Sequence, residues 1–353
     1  MSPSDCNIGM VGYGLGGRVF HAPFIQMAEG LRLHAVCSRT DVRRREAERD
    51  YPEVVTYATL DDMLGDPNVD MVVLVTPHDT HAPMAVQAMD LGKHVVTDKV
   101  MCMDEAEGRS MIEASTRNGV LFSVYQNRRW DGDFLTLKEI LSEGRLGELY
   151  SIDSRVDRLS GPSYGWRAWK RHGGGRTRDW GAHLIDQMLQ LFGPVVRRVY
   201  AQYEYRFPED ESDVESDSIV LMELEGGISF RIELSNQAFT PRPRFEAVGS
   251  EGSFRKHGTD PQEEVAKEGR AGSPVVEDPA RYELKRRGSK GVEEVALTPM
   301  LGRWQTFYEN IGQVLAGKEK LAVKPEESLE GVRVLDAIRA SADKHIAVEL
   351  SPK

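Results

Sequence analysis

A glycine motif near the N-terminus places the strongest limit on the fold. A short apolar run, Asn7–Val11, precedes Gly12-Tyr13-Gly14-Leu15-Gly16-Gly17, which fits the pattern G-x-G-x-x-G, and a helix-like segment follows from Arg18. In such a turn, glycines let backbone N–H groups approach a pyrophosphate at the start of a helix. The order strand, glycine turn, helix therefore predicts a dinucleotide-binding Rossmann unit. The predicted cofactor contacts in this turn are Gly12, Gly14, Leu15 and Gly17.

The end of the second predicted strand, Leu33–Cys37, indicates which nicotinamide cofactor binds. NAD-binding units carry an acid about 20 residues past the glycines, where it holds the ribose hydroxyls. Here Ser38 and Arg39 stand at that place. A hydroxyl and a guanidinium suit a ribose phosphate, because arginine matches phosphate oxygens in a bidentate manner. The sequence therefore favours NADP, while Asp41 leaves NAD possible.

Further strand-like and helix-like runs alternate along the first part of the chain. The strand-like runs are Met71–Val75, His94–Thr97 and Val120–Val124, and a helix-like run covers Pro83–Leu91. Apolar runs of this kind are typical of parallel strands buried on both faces, and ligands bind beyond the carboxyl ends of such strands. Asp98-Lys99-Val100 stands at one of these ends. We expect Lys99 to point to the nicotinamide site; a solvated lysine is the alternative.

From about residue 126 the pattern changes to one typical of an antiparallel sheet. The predicted strands are Tyr150–Asp157, Val195–Tyr205, Ser218–Leu224, Ile228–Leu234 and Arg244–Val248. Glu225-Gly226-Gly227 is a hairpin signal between two of them. Glu209–Asp217 is acidic and predicts a solvated loop, and the polar segment Lys256–Asp278 predicts an excursion loop.

The last two predicted elements are helices, Arg303–Leu315 and Pro325–Lys344. We therefore predict an α/β fold with two domains. Residues 1–125 form a Rossmann domain with a doubly wound parallel sheet. Residues 126–353 form an α+β domain with a large open, mostly antiparallel sheet, and the last helices can pack back on the Rossmann domain.

The glycine-rich stretch Gly173–Asp186 carries the clearest catalytic candidates. If it opens a helix, Asp179 and His183 stand one turn apart and Asp186 shares their face. This is a ladder of carboxylate, imidazole and carboxylate. Histidine is the side chain best suited to exchange a proton near neutral pH. A structural Asp–His pair is the alternative.

Composition limits the partners and the compartment. A net charge of -11 argues against nucleic acid or a membrane surface as the main partner. No apolar run approaches the length of a membrane span, and the first strand-like run begins too early for a signal peptide. The three cysteines, Cys6, Cys37 and Cys102, are scattered, which fits a reducing cytoplasm. We expect Cys102 to be a small buried residue rather than a nucleophile.

Three segments together resemble the glucose–fructose oxidoreductase/inositol dehydrogenase (Gfo/Idh/MocA) family. They are the turn from Gly12 to Pro23, Asp98-Lys99-Val100, and Asp179-x-x-x-His183-x-x-Asp186. Tyr125–Trp130 and Gly252–Glu263 are similar to its NADP-dependent scyllo-inositol dehydrogenase branch. The resemblance implies a Rossmann domain, an open-sheet domain that forms a homodimer or homotetramer, and hydride transfer between NAD(P) and a sugar or cyclitol hydroxyl.

The resemblance also implies roles for individual residues. It makes Lys99, Asp179 and His183 catalytic. Cofactor contacts carried over from the family are Thr76, Pro77, His81, Asp98 and Lys99. Two positions depart from the family pattern, because its E-K-P is here Asp98-Lys99-Val100 and its Asn is His78. Loss of the proline frees the backbone that sets the direction of the lysine.

A cation-rich segment before Asp179 favours an anionic substrate. Trp166-Arg167-Ala168-Trp169-Lys170-Arg171 and Arg176-Thr177-Arg178 place five cations within about a dozen residues. Such cations suit a carboxylate, sulfonate or phosphate, and tryptophan offers a sugar ring an apolar face. A basic surface loop is the alternative. The predicted substrate contacts are Lys99, Gln126, Arg128, Trp166, Arg167, Arg176, Arg178, Asp179 and His183.

Three other functions stay open at this point. A glycoside-cleaving enzyme could use tightly bound NAD in a transient cycle of oxidation, elimination and reduction, on an anionic sugar among others. A nucleotide-binding regulator with a dead site is disfavoured by the intact Lys99, Asp179 and His183. A metal site at His78-x-x-His81 is weaker still, because this nicotinamide chemistry needs no metal.

Overall fold

Two separate sheets organise the chain, one in each of two units. The computed structural model describes residues 5–351. The first unit comprises the chain up to residue 127 with residues 262–273 and 304–329, and the second comprises residues 128–261, 274–303 and 330–353. Both units are therefore assembled from segments that are distant in sequence.

A six-stranded parallel sheet forms the centre of the first unit. Its strands are β1 (Cys6–Val11), β2 (Leu31–Cys37), β3 (Val55–Tyr57), β4 (Met71–Leu74), β5 (His94–Thr97) and β6 (Phe122–Val124). The strand order is β3-β2-β1-β4-β5-β6, and every pair is parallel. This confirms the predicted doubly wound sheet. The order reverses between β1 and β4, which is where such sheets bind ligands.

The helices of both units follow from local sequence signals. Within residues 5–351 they are α1 (Ala22–Met27), α2 (Asp41–Asp50), α3 (Leu60–Leu64), α4 (His81–Asp90), α5 (Glu105–Asn118), α6 (Gly132–Ser142), α7 (Ala182–Phe192), α8 (Gln262–Lys267), α9 (Thr306–Leu315) and α10 (Pro325–Lys344). The Asp104 carboxylate accepts the Glu107 N–H at the start of α5, and Gly119 ends that helix with a φ of 63°. Both are standard signals for helix ends.

A nine-stranded, mostly antiparallel sheet forms the centre of the second unit. Its strands are β7 (Leu149–Asp157), β8 (Val196–Glu204), β9 (Asp217–Leu224), β10 (Ser229–Ser235), β11 (Phe245–Gly249), β12 (Gly252–Lys256), β13 (Tyr282–Gly288), β14 (Gly291–Glu294) and β15 (Val348–Glu349). The order is β14-β13-β12-β11-β7-β10-β9-β8-β15, and within this sheet of described strands only the β7–β10 pair is parallel. The five predicted strands and the hairpin turn Glu225–Gly227 are confirmed, whereas β12 to β15 were not foreseen.

One face of this sheet is packed and the other is exposed. Along β9, side chains alternate between buried positions such as Val220 and Met222 and exposed positions such as Ile219 and Leu221. A period of two places alternate side chains on opposite faces. The second sheet is therefore open on its outer face.

Two polar segments, predicted as a solvated loop and an excursion loop, each contain a buried charged side chain. In Glu209–Asp217, the side chain of Glu215 is buried. In Lys256–Asp278, Lys256 ends β12 and is fully buried, with its Nζ donating to Glu277 Oε1 at 2.7 Å. Charged side chains are buried when they find a partner, and that partner is invisible in the local pattern. Among residues 5–351, none of the helices combines the length and apolarity needed to cross a bilayer.

Candidate active site

The glycine turn after β1 has the shape required to receive a diphosphate. Gly12 has a φ of +100°, and a Cβ at that position would lie 2.2 Å from the Val75 carbonyl oxygen. A Cβ at Gly17 would lie 2.1 Å from the Gly12 oxygen, whereas a Cβ at Gly14 would meet no heavy atom within 4 Å. Gly12 and Gly17 thus allow the turn and its close packing, and Gly14 faces open space. A dinucleotide fits this cradle, because bare backbone there can approach its phosphates.

In the folded chain, arginine side chains contact the segment that follows β2. Ser38 and Arg39 follow the strand directly, and the carboxylate of Asp41 contacts Arg44 at 3.3 Å and Arg45 at 2.7 Å. Arg44 also donates from Nη1 to the Ser38 carbonyl oxygen at 2.7 Å. Two guanidiniums therefore engage the acid that could have held a ribose. Sequence reasoning missed Arg44, although its spacing of three residues from Asp41 was a usable signal.

Two histidines hold the backbone around Lys99. Nε2 of His78 lies 3.0 Å from the Lys99 carbonyl oxygen and 3.2 Å from the Val100 nitrogen, and Nδ1 of His81 lies 2.8 Å from the Val100 oxygen. The Lys99–Val100 peptide bond is cis. Valine carries an N–H that proline lacks, and a ring nitrogen of His78 can accept it. The two departures from the family pattern therefore compensate for one another.

His81 and Thr76 connect two strand ends rather than facing solvent. His81 is fully buried, and its second ring nitrogen lies 3.0 Å from the Thr76 carbonyl oxygen. Burial lowers the pKa of His81 and outweighs the opposing influence of Asp98 and the backbone carbonyls. Thr76 Oγ1 accepts a hydrogen bond from Thr80 at 2.7 Å, and Pro77 lies between these residues. Within residues 5–351, no three His, Cys, Asp or Glu side chains are grouped to hold a metal ion.

Gln126 lies just beyond β6 in the first unit. Its backbone N–H donates to the Val124 carbonyl at 2.8 Å, and the residue is buried. Its side-chain oxygen has no hydrogen-bond partner among the described residues. A buried amide oxygen of this kind is costly unless a ligand or water satisfies it, so Gln126 remains a candidate contact.

The stretch after Gly173 forms the predicted helix in the second unit, but its first turn is wider than an α-helix. A π-helical turn, Thr177–Gly181, leads into α7. Glu215 Oε1 accepts the Thr177 N–H at 2.7 Å, and a Cβ at Gly175 would lie 2.6 Å from Glu215 Oε2. Glycine thus makes room for a carboxylate that satisfies an amide at the helix start. Sequence reasoning missed Glu215, because its partner is 38 residues away.

Asp179 and His183 lie along this helical segment. Nε of Arg167 lies 3.6 Å from Asp179 Oδ1, in a half-buried ion pair. His183 is 7% exposed, and its ring lies 6.1 Å from the Trp180 ring in an edge contact. The candidate base is therefore largely shielded from water and bordered by an indole.

Asp186 lies on α7, three residues after His183, and is paired with an arginine. Arg129 donates from Nε and Nη2 to the two carboxylate oxygens of Asp186 at 2.8 and 2.7 Å, and both side chains are buried. A bidentate pair of this kind occupies both oxygens. Asp186 is thus bound to an arginine 57 residues away along the chain, which the sequence could not show.

The cation-rich segment is not a basic surface loop throughout. Arg176 is 6% exposed and Arg178 is 7% exposed. Three guanidiniums lie over the Trp180 ring, those of Arg128 at 4.1 Å, Arg158 at 4.8 Å and Arg176 at 5.9 Å. Cations attract the negative face of an indole, and such contacts are strongest away from water. The cluster therefore surrounds Trp180 with positive charge, and Arg158 joins it without having been predicted.

The tryptophans differ in what they offer a ligand. Trp180 is buried beneath the arginines, so it presents no open face to a sugar ring. Trp166 is half-buried, with the Arg167 guanidinium over its ring at 4.4 Å. Within the second unit, the structure thus brings Trp166, Arg167 and Asp179 together, and gathers three arginines beside Trp180 and His183.

Comparison with known proteins gives a consistent result for both units. Residues 6–126 match the family model described as "Oxidoreductase family, NAD-binding Rossmann fold", and residues 134–255 match the model described as "GFO/IDH/MocA C-terminal domain". The chain is 30% identical over 355 residues to scyllo-inositol 2-dehydrogenase (NADP+) IolW of Bacillus subtilis, which covers 97% of this chain and 95% of that protein.

Two further relatives extend the comparison. The chain is 26% identical over 250 residues to myo-inositol 2-dehydrogenase of Thermotoga maritima, covering 69% of this chain and 73% of that protein. The solved structure of the Bacillus subtilis protein yvaA superposes with a TM-score of 0.92 at 27% identity, covering 99% of this chain and all of that one.

Proposed function

Because this chain belongs to the Gfo/Idh/MocA family and is an NAD(P)-binding oxidoreductase, we propose that it transfers hydride between NADP and a hydroxyl group of a sugar or cyclitol. One observation in the first unit carries this proposal. Asp98 Oδ2 lies 3.8 Å from the Cβ position of Gly16. The residue that precedes Lys99 therefore borders the glycine turn, as a lysine acting beside a bound dinucleotide requires. The nicotinamide, when bound, accepts or supplies the hydride.

The chain's own residues handle the proton and the developing charge. His183 takes the proton of the substrate hydroxyl, and the ammonium of Lys99 stabilises the oxygen as negative charge develops. Asp179 orients the imidazole and stabilises its charged form. Reduction of a ketone follows the same steps in reverse.

The residues after β2 support NADP over NAD. Ser38 and Arg39 offer a hydroxyl and a guanidinium, and the Arg44 guanidinium is held against the Ser38 carbonyl. Asp41 forms ion pairs with two arginines, so their positive charges balance the negative charge of its carboxylate. A 2′-phosphate binds more tightly among these positively charged arginines, whereas the uncharged ribose hydroxyls of NAD gain little binding energy from them.

The arginine cluster supports an anionic substrate. Arg128, Arg158 and Arg176 lie over Trp180, whose ring contacts His183. Positive charge is thereby gathered close to the candidate base. A carboxylate, sulfonate or phosphate on the sugar or cyclitol would interact with it strongly in a site shielded from water.

The outer face of the second sheet supports a homo-oligomer. Ile219 and Leu221 are 50% and 43% exposed on β9, although both are large apolar residues. We place a dimer or tetramer contact on this face, testable by sedimentation of an Ile219→Lys variant. We also propose a cytoplasmic location, because the scattered positions of Cys6, Cys37 and Cys102 in the sequence fit a reducing compartment.

Turnover with a substrate panel tests the proposal. Purified protein is mixed with NADP+ or NAD+ and with inositols, aldoses, uronic acids and sulfonated sugars, and nicotinamide absorbance is followed. We expect net reduction of NADP+ by at least one polyol, with a preference for an anionic one. Lys99→Ala and His183→Ala should each lower kcat by about 10²- to 10⁴-fold, while the exposed Lys138→Ala control keeps wild-type turnover.

The same assay separates the alternative functions. Release of aglycone from a glycoside without net cofactor reduction would favour the glycoside-cleaving cycle. Binding of NADP without any turnover would favour a regulator. Full activity of His183→Ala would remove that residue from the mechanism.

A further inference from the structure

A buried imidazole in the first unit links a tyrosine to the carboxylate beside Lys99. His21 is 0% exposed. Its Nδ1 lies 2.7 Å from the hydroxyl of Tyr308 on α9, and its Nε2 lies 3.7 Å from Asp98 Oδ1. Neither His21 nor Tyr308 has a role in the mechanism above. The three side chains form a continuous chain from α9 to the end of β5.

Proton placement along this chain follows from simple donor and acceptor rules. In the tautomer with its ring proton on Nε2, His21 turns an N–H toward the Asp98 carboxylate, which can only accept. Nδ1 then accepts the hydroxyl hydrogen of Tyr308. Burial raises the pKa of Tyr308 well above its usual value, which keeps that hydroxyl protonated. Tyr308 therefore donates to His21, and His21 directs its N–H toward Asp98.

Stacking limits the rotation of the imidazole. The ring of Tyr125 lies 4.1 Å from the His21 ring, and 5.5 Å from the Tyr308 ring. The Tyr125 ring packs against the His21 ring at a tilt of 40°, whereas Tyr308 contacts it through its hydroxyl. Packing against Tyr125 thus limits the plane of the imidazole, and the hydrogen bond with Tyr308 holds its Nδ1 edge.

Asp98 in turn contacts the catalytic lysine. Asp98 Oδ1, the same atom that faces His21, accepts the backbone N–H of Lys99 at 2.8 Å. Burial raises the pKa of Asp98, but the interaction with His21, followed by the charges of Lys99 and His81, outweighs it and holds the pKa well below the ordinary value. The titratable groups that face Asp98 are thus His21, Lys99, His81 and the phenol of Tyr308.

We propose that His21 and Tyr308 are positioning residues, which act through Asp98 to hold Lys99 in place as the substrate oxygen gains charge. Their role rests on the proposed function, in which Lys99 stabilises that oxygen. His21 fixes the Asp98 oxygen that binds the lysine backbone. Tyr308 holds the opposite edge of the ring through its hydrogen bond to Nδ1.

Removal of one hydroxyl tests the tyrosine. Tyr308→Phe keeps the ring and its packing but leaves Nδ1 without its donor. We expect kcat to fall about three- to tenfold, the usual effect of one hydrogen bond, while KM for NADP+ stays within about twofold. Tyr125→Phe is the matched control, because it removes a hydroxyl from the other stacked ring and should keep wild-type kcat. The polyol with the highest turnover in the panel above serves as the probe.

A pH profile tests the histidine. His21→Phe keeps a flat ring but removes both nitrogens, so Asp98 loses the interaction that lowers its pKa while burial still raises it. Asp98 then becomes protonated at a higher pH than in the wild type. We expect the acid limb of the kcat profile to move to higher pH in His21→Phe. A merely structural role would lower Tm without moving that limb.

Lys99→Ala in the same assay distinguishes a failure of the proposed function from a failure of the positioning role. Full turnover of Lys99→Ala, or no turnover of any polyol by the wild type, would refute the proposed function and the positioning role together. An inactive Lys99→Ala, combined with wild-type kcat in Tyr308→Phe and an unmoved acid limb in His21→Phe, would refute the positioning role alone. If His21→Phe does not fold, Tyr308→Phe with its Tyr125→Phe control decides the matter.

Discussion

Replacing Gly14 by alanine should weaken cofactor binding while leaving the fold intact. A Cβ at Gly14 would meet no heavy atom within 4 Å. The free energy of unfolding should therefore change by no more than about 0.5 kcal/mol, as for other substitutions away from packed features. The added methyl group would instead occupy the space through which a diphosphate approaches the backbone.

The size of the binding effect follows from what the methyl group displaces. Moving a diphosphate away from one backbone N–H removes a hydrogen bond to a charged group, which contributes about 1.5–3 kcal/mol. The Kd for NADP should then rise about 10- to 100-fold. Calorimetric titration with NADPH measures this change directly, and thermal unfolding without cofactor measures the stability of the same sample.

Gly17→Ala is the matched control, because it adds the same methyl group where no space exists. Its Cβ would lie 2.1 Å from the Gly12 oxygen and 3.2 Å from the Gly12 carbonyl carbon. Overpacking of this kind costs about 1–3 kcal/mol, so Tm without cofactor should fall in Gly17→Ala but not in Gly14→Ala. A wild-type Kd in Gly14→Ala, or an equal loss of Tm in both variants, would refute the assignment of the open cradle to the diphosphate.

Arg39→Asp should shift the ratio of kcat/KM from NADP+ toward NAD+ by at least about tenfold, because a charge-assisted contact to the ribose phosphate is lost. Glu215→Ala should leave the buried N–H of Thr177 without its acceptor, at a cost of about 1–3 kcal/mol, and should lower both Tm and kcat. Glu215→Gln keeps an acceptor and should retain most of the wild-type Tm and kcat. Burial raises the pKa of Asp66, but hydrogen bonds from the Asn68 N–H and from His34 outweigh it and lower the pKa to about 2. Asp66 thus stabilises the fold above its unfolded pKa of about 4 and loses this effect as pH falls toward 2, so Asp66→Asn should flatten the pH dependence of unfolding in that range.

A specific result would contradict each of these three predictions. An unchanged cofactor ratio in Arg39→Asp would mean that the segment after β2 does not hold the ribose phosphate. Equal losses in the two Glu215 variants would show that charge, not hydrogen bonding, fixes the start of the helix. An acid unfolding curve of Asp66→Asn parallel to that of the wild type would place the acid sensitivity elsewhere.

Local patterns were sufficient to predict most strands of both sheets. β5 has the predicted bounds, His94–Thr97, and the turn Glu225–Gly227 joins two strands as its glycines indicate. The glycine turn was likewise predictable, because its shape depends on backbone freedom at a few consecutive positions. These features depend on neighbours within a few residues, so each can be predicted from a short segment of the sequence.

Side-chain partners at long range were not predictable in this way. Lys256 and Glu215 lie in polar segments predicted as an excursion loop and a solvated loop, yet both are buried with partners 21 and 38 residues away. The pairing of Asp186 with Arg129 was likewise not visible in the sequence. His21 had no assigned role until α9 brought Tyr308 to its ring. The physical reason is that burial of a charge depends on which distant group comes within hydrogen-bond distance, and only the folded chain sets that distance.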